Sequence, residues 1–474
     1  MDTYRTPPLG KCARFDKTRF LISQCVLFLA IVVFSTSALA ATHYVRAGAN
    51  GNGSGSDWAN AYSSVPNSLV RGDTYYVAGG SYGSLTLSDS GTSMITLLHP
   101  TASGHGTDTG WNAAYEGEAI WTNIELSASD YTIDGVTGGG PGSWNSGFGF
   151  AVKMPANGAQ AHAVGVTSSN VSNITLRHMD IQGRGRSYSG GDTDLIYMLN
   201  SYNNFYIGYS YLHDTDRTMM LTWPSAGTGM TVEYSYFARN GVAEHREAWS
   251  LSNDSNVILR YNLFEDIFGT GVLAAVNNAG TAANWQIYGN VIYWTGNYTD
   301  GIINTGVIVI AHSNCPTAQC VNTSGWVIYN NVISGLVGGS FISGFDLENV
   351  TGSVVCENNI WYNNNASSGP GPSGCGAATT ADYNWFYKNT PSNNTAGPHD
   401  VVGTASPFVT GSSNTFPFGN WELASQISGL TLPAPYNIDA LGMGPSVGVW
   451  DRGAYQASNS AAPVAPQGLT ATVQ

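Results

Sequence analysis

Between Ile174 and Tyr362 one short phrase returns seven times: two apolar residues in alternation, a polar slot, then another apolar residue. The phrases read ITLRHMDI (174–181), FYIGYSYL (205–212), MTVEYSYF (230–237), VILRYNLF (257–264), WQIYGNVI (285–292), WVIYNNVI (326–333) and SVVCENNI (353–360). Their starts step by 31, 25, 27, 28, 41 and 27 residues. Period-two alternation inside a phrase predicts a strand, and a step of this size predicts one coil of a stacked solenoid. The sixth position forms a polar column: Met179, Ser210, Ser235, Asn262, Asn290, Asn331 and Asn358. Stacked Asn amides can bond to one another and to turn backbone, so the column has a physical place inside an apolar stack. The pattern predicts an all-β solenoid whose chemistry lies along one face of a rod.

At 474 residues the chain exceeds a usual single domain, but a solenoid escapes that limit because each coil packs only on its neighbours. Fifty-eight glycines, with many Asn, Ser and Thr, suit a turn-rich all-β protein. The first 40 residues read as a secretory signal: Arg5, Lys11, Arg14, Lys17 and Arg19 precede an apolar run from Phe20 to Phe34 and the small-residue site Ala38-Leu39-Ala40. The run is short of the roughly 20 residues needed to span a bilayer. Fold reasoning therefore starts at Ala41. Removing the signal lowers the 17 basic and 31 acidic residues by five and two, to 12 and 29, a formal charge of −17. Nucleic acid, which wants basic stripes, is excluded as a partner. Once the signal is removed, no membrane partner is expected, and a monomer outside the cell or on its surface is. The Asn- and Gly-rich coils suggest a bacterial source.

Four cysteines remain beyond the signal: Cys315, Cys320, Cys356 and Cys375. An even count in an exported chain predicts two disulfides, with three possible pairings; Cys315–Cys320 and Cys356–Cys375 are favoured. A zinc site is the rival reading, but the spacing is poor for it.

HYVRAGANGNGSGSDWANAYSSV followed by RGDTYYVAGGSYGSLTL, near the start, resembles the opening of secreted right-handed parallel β-helix proteins. ASPF (405–408), WEL (421–423), YNIDAL (436–441) and DRGAY (451–455) resemble their closing signature, in which a D-x-G-A-Y strand ends the rod. Together with the coils, these segments are similar to the pectate-lyase-like superfamily over nearly the whole exported chain. The resemblance implies a right-handed parallel β-helix over 41–456, and carbohydrate as its partner. It implies no single activity, because the fold hosts lyases, hydrolases, epimerases and non-catalytic surface proteins. The last stretch, 457–474, reads as a linker or tail, similar to the first strand of a fibronectin type III module.

Beyond the polar column, later strands align as DLIYM (194–198), RTMML (217–221), EAWSL (247–251), TGVLA (270–274), DGIIN (300–304) and GSFIS (339–343). Their first residues form the column Asp194, Arg217, Glu247, Thr270, Asp300, Gly339, beside Thr193, Asp216, Arg246, Gly269 and Thr299. Three adjacent coils thus bring Asp192, Asp194, Asp216, Arg217, His245, Arg246 and Glu247 to one patch in a chain that is only 10% charged. β-Elimination beside a uronate needs the carboxylate neutralised and the C5 proton removed. Arg217 and Arg246 could neutralise it, and His245 could act as base or acid with Glu247 beside it. Asp194, Asp216 and Asp300 could contact substrate. Asp192, Asp194, Glu247 and Asp300 could hold Ca²⁺, which takes 6–8 oxygen ligands. Hydrolysis or epimerisation by paired carboxylates stays open, as does a surface ion-pair ladder with no catalytic role.

The expected function is polysaccharide lyase activity on an acidic glycan. The alternative from a different class is a non-catalytic glycan-binding or cell-surface rod. Lys153 and Lys388, the exported chain's two lysines, are expected outside the charged patch, and His178 and His213 are expected as turn or surface residues.

Overall fold

The computed structural model describes residues 40–457 except 223, 242–245, 276–279, 299–305, 311–320, 337–343, 348–349, 365–373, 390–394, 396 and 446–449. Residues 1–39, the tail from 458, and His245, Asp300, Cys315 and Cys320 lie outside the described residues.

Every phrase of the repeat is two strands rather than one. In the fourth phrase, Val257–Arg260 belongs to a 12-stranded sheet and Leu263–Glu265 to a 19-stranded one. The break falls on a residue in the left-handed region: His178, Tyr209, Tyr234, Tyr261, Gly289 and Asn330, with φ of 53, 50, 49, 57, 66 and 56°. A single left-handed residue redirects the chain sharply, and alternation resumes on the new face as if the strand had not stopped. That resumption is why the phrase reads as one strand in sequence.

The next residue is the polar column. Asn262 Oδ1 accepts from Ser235 N, Asn290 Oδ1 from Asn262 N and Nδ2, and Asn331 Oδ1 from Asn290 N and Nδ2, at 2.9–3.1 Å. Each amide also donates to a buried carbonyl, as Asn290 Nδ2 does to Leu259 O at 2.9 Å. In the seventh coil the member is Asn359, not Asn358, and Asn384 continues the ladder. Ile328 pairs with Cys356, which sets the register one residue later than the SVVC run suggests. Asn358 takes the left-handed position instead (φ 61°) and holds the returning C-terminal segment through Leu430 N and O.

The strand pairings of both long sheets are parallel, and the larger sheet contains two files of strands. One runs from Phe150–Lys153 through Met179–Gln182 and Tyr211–Thr215 to Trp385–Tyr387. The other runs from His162–Val166 through Asp194–Met198 and Met220–Leu221 to Phe345–Leu347. They merge only because the long strand Ala119–Leu126 pairs with both. The chain is therefore a three-faced parallel β-helix. Its right-handed sense is the one parallel crossovers take almost without exception.

Inward positions stack by residue type from coil to coil. Phe237 lies on Phe264 with ring centres 4.8 Å apart, and Trp285 on Trp326 at 4.7 Å, which is the spacing of adjacent strands. Burial of such columns drives the fold, at roughly 1.5–3 kcal/mol per large apolar side chain. Cys356 and Cys375 form the favoured disulfide. From 403 to 457 the chain forms no regular strand among the described residues, and DRGAY makes only a bridge from Asp451 to Ser428. This segment folds back along the outside of the first file, where Phe408, Trp421, Leu423 and Tyr455 form a second apolar cluster with Tyr236, Val291, Val332 and Ile360. Its aromatic side chains cover that face instead of extending the rod.

Candidate functional site

The charged residues gather at the corner between the two files, where each coil enters its Asp194–Met198-type strand. Ile196 pairs with Met220, Met220 with Trp249, Trp249 with Leu273 and Leu273 with Ile308. Carried two residues back, this register aligns Asp194 with Thr218, Glu247, Gly271 and Gly306. The sequence alignment is thus correct at Glu247, slipped by one at Arg217 and Thr270, and slipped further beyond. Short strands of two or three residues between irregular loops carry too little alternation to fix their own register. The correction moves Arg217 into the column of Thr193 and Arg246, one coil apart and about 4.8 Å along the rod.

Arg217 Nη1 donates to Asp194 Oδ2 at 3.1 Å, and its Nε lies 4.0 Å from Asp192 Oδ2. Asp192 is exposed and Asp194 buried. Burial pushes the Asp194 carboxyl up to about 7, outweighing the opposing pull of Arg217. Asp216 is also buried and raised by burial, and it accepts a hydrogen bond from the Thr193 hydroxyl. Glu247 is buried two coils from Asp194 and accepts from Thr270 N at 3.2 Å through Oε1. Arg246 is buried beside it.

Four buried polar atoms at this corner have no hydrogen-bond partner among the described residues: Asp194 Oδ1, Asp216 Oδ2, Glu247 Oε2 and Arg217 Nε. Buried polar atoms are nearly always paired, so an unpaired group of them calls for an explanation such as an ion, water or ligand. Among the described residues, no group of three or more His, Cys, Asp or Glu side chains converges closely enough to hold a metal ion.

A second charged network escapes the sequence reading. On the outer side of the first file Lys153 stands in one column with Gln182, His213, Ala238 and Glu265. Lys153 Nζ bonds Glu118 Oε2 at 2.5 Å and lies 3.4 Å from Asp180 Oδ2. His213, far from being a surface residue, is buried between Asp180 (2.8 Å) and Asp214 (2.6 Å), and Tyr211 stacks on its ring at 3.9 Å. Burial opposes its charge, but the two carboxylates win and raise its pKa. Arg239 clamps Asp214 through Nε and Nη2, both at 2.8 Å. The signal was the run HDTDR, yet its partners Lys153, Asp180 and Arg239 come from other coils. His178 does sit at a turn, bonded to Asp134 at 2.6 Å.

Three parallel faces around one apolar core make the chain a parallel β-helix, with a charged cluster at one corner. No protein-family model and no curated protein matches the sequence. Among solved structures the chain is similar to pectate lyase Pel9A (TM-score 0.49, 13% identity, 89% of this chain and 98% of that one). It is similar to the PL6 family alginate lyase AlyGC (TM-score 0.35, 13% identity, 71% of this chain and 48% of that one). It is also similar to the pectin methylesterase from Aspergillus niger (TM-score 0.27, 11% identity, 78% and 92%). At these identities the likeness is one of fold.

Proposed function

We propose that this protein is an exported enzyme that cleaves an acidic polysaccharide by β-elimination at the corner containing Arg217. The observation that carries the reading is the set of unpartnered buried atoms on Asp194, Asp216, Glu247 and Arg217, within three successive coils. Arg217 and, when protonated, Asp194 can donate to a uronate carboxylate, while the Asp216 and Glu247 oxygens can accept from sugar hydroxyls. Arg217, with Arg246 one coil on, supplies positive charge to its carboxylate. Asp194, with its proton held to near neutral pH, can donate a hydrogen bond from Oδ1 to the same carboxylate, as a neutral acid in a buried site can. Withdrawing charge in this way acidifies the C5 proton. A base removes that proton, the C4–C5 double bond forms, and the C4–O bond breaks, with the leaving oxygen taking a proton. His245 is our candidate base.

A non-catalytic glycan-binding rod is the second reading, favoured by the Arg217–Asp194 pair, which already satisfies part of the cluster. Absorbance near 235 nm reports a new unsaturated uronate and separates the two. The chain is incubated with alginate, pectate and glycosaminoglycans, with and without Ca²⁺. A rise lost in Arg217→Ala supports the lyase, while a flat trace across the panel transfers the reading to the rod.

A further inference from the structure

Three coils further along the rod the outer column of the first file reads Glu265, Tyr293, Ser334, Tyr362 and Tyr387. Ser334 is small, and Tyr293 and Tyr362 stand two coils apart on either side of it, about 10 Å by strand spacing. The C-terminal segment closes the third side. Phe418 stacks on Tyr293 at 4.6 Å, Trp421 meets Tyr293 edge-on at 4.8 Å, and Phe408 meets Tyr362 edge-on at 5.3 Å. The space left is a cleft of about 380 Å³. That is within the usual size range of small-ligand sites.

Two features of its lining define the occupant. The first is charge: in a chain this acidic, no Asp, Glu, Lys, Arg or His among the described residues lines the cleft, whose polar groups are amides and hydroxyls such as Asn363, Asn420 and Thr295. The second is an unmet donor: the Trp421 indole N–H is buried without a hydrogen-bond partner among the described residues. Aromatic planes with hydroxyl- and amide-bonding groups and no charge suit a neutral pyranose, whose C–H face packs on a ring while its hydroxyls exchange hydrogen bonds. They do not suit a uronate, which would enter with no cation to meet it.

We propose that the cleft between Tyr293 and Tyr362 binds a neutral sugar ring, as a site separate from the charged corner. The proposal stands on this lining and does not rest on the lyase reading. Isothermal titration of the whole chain with cellohexaose, xylohexaose, mannohexaose and β-1,4-galactohexaose, beside hexagalacturonate, tests it. At least one neutral hexaose should bind, with affinity falling about tenfold in Tyr362→Ala. Asn363→Ala, at an exposed position, should weaken binding severalfold without touching the packed rings. Arg217→Ala should leave neutral-sugar binding unchanged whatever it does to activity. Absence of binding by every neutral hexaose would overturn the proposal. So would binding that is equal in Tyr362→Ala and Asn363→Ala, or binding that disappears in Arg217→Ala.

Discussion

Two corners of the same rod carry buried polar side chains in neighbouring coils, and they are built oppositely. At the Asn262–Asn290–Asn331–Asn359–Asn384 corner each amide oxygen accepts from the coil before it and each amide nitrogen finds a carbonyl or the next oxygen. At the Asp194–Arg217–Glu247 corner, buried oxygens and a guanidinium nitrogen are left over. Identical residues repeated at a fixed step can satisfy one another, because every coil offers the same donor and acceptor. Unlike charged residues that do not repeat must find partners case by case: the Asp180–His213–Asp214–Arg239 network closes, and the Asp194 corner does not. A row that closes on itself holds a fold together, whereas an unclosed row is available to bind something.

The comparison breaks most sharply at Asn290. Asn290→Ala removes the acceptor for Asn262 and the donor to Asn331 and Leu259 O. Several buried groups are then unpaired at 1–3 kcal/mol each, so chemical denaturation should show a loss of about 3–4 kcal/mol. Cys356→Ser tests the same structural end of the rod, where Cys356 and Cys375 close a loop with a sequence separation of 19. Its midpoint should fall by an equivalent of about 3 kcal/mol, and unchanged stability would mean the bond is absent in solution.

At the other corner the effects reverse. Arg217→Ala should lower the unfolding midpoint by only about 1–2 kcal/mol, less than Asn290→Ala, because the guanidinium is partly exposed and buried Asp194 can take up a proton once its partner is gone. The 235 nm rate should fall by about a hundredfold, the scale of losing a preorganised charge-stabilising donor. Similar losses of stability at Asn290 and Arg217 would erase the distinction between the corners.

The last effect concerns pH. Burial raises Asp194 to about 7 and Glu265 to about 8, from ordinary values of 3.8 and 4.5. Both bind their protons more tightly folded than unfolded. Their contribution is full below the unfolded values and is lost as pH rises through the folded ones. The melting temperature should therefore fall between about pH 4 and 8, and Asp194→Asn should flatten that slope. A mutant slope as steep as the parent's would show that Asp194 ionises normally.

Much of the rod was legible because its signals are local and repeated. The alternation, the 25–31 residue step and the Asn column predict parallel coils, and the strand order follows them. The opening motif is a strand at Thr42–Val45 and another at Thr74–Val77, as the resemblance implies. The Cys356–Cys375 pairing was legible too. The charged corner was legible in membership but not in register: Asp192, Asp194 and Arg217 do meet, yet Arg217 is displaced by one position. Lys153 with Asp180 and His213 was not legible, because their approach depends on strands 27 to 33 residues apart pairing in one register.

Sequence by itself determined that this chain is a stack of parallel coils with a polar ladder and a cluster of unlike charges, because periodicity and residue type act within one coil or between identical neighbours. Tertiary structure alone decided which charged atoms are paired and which are left over, where the left-handed residues split each phrase into two faces, and that the C-terminal segment turns back to cover one of them. Those outcomes depend on contacts between residues that share no period, so nothing in the repeat could announce them.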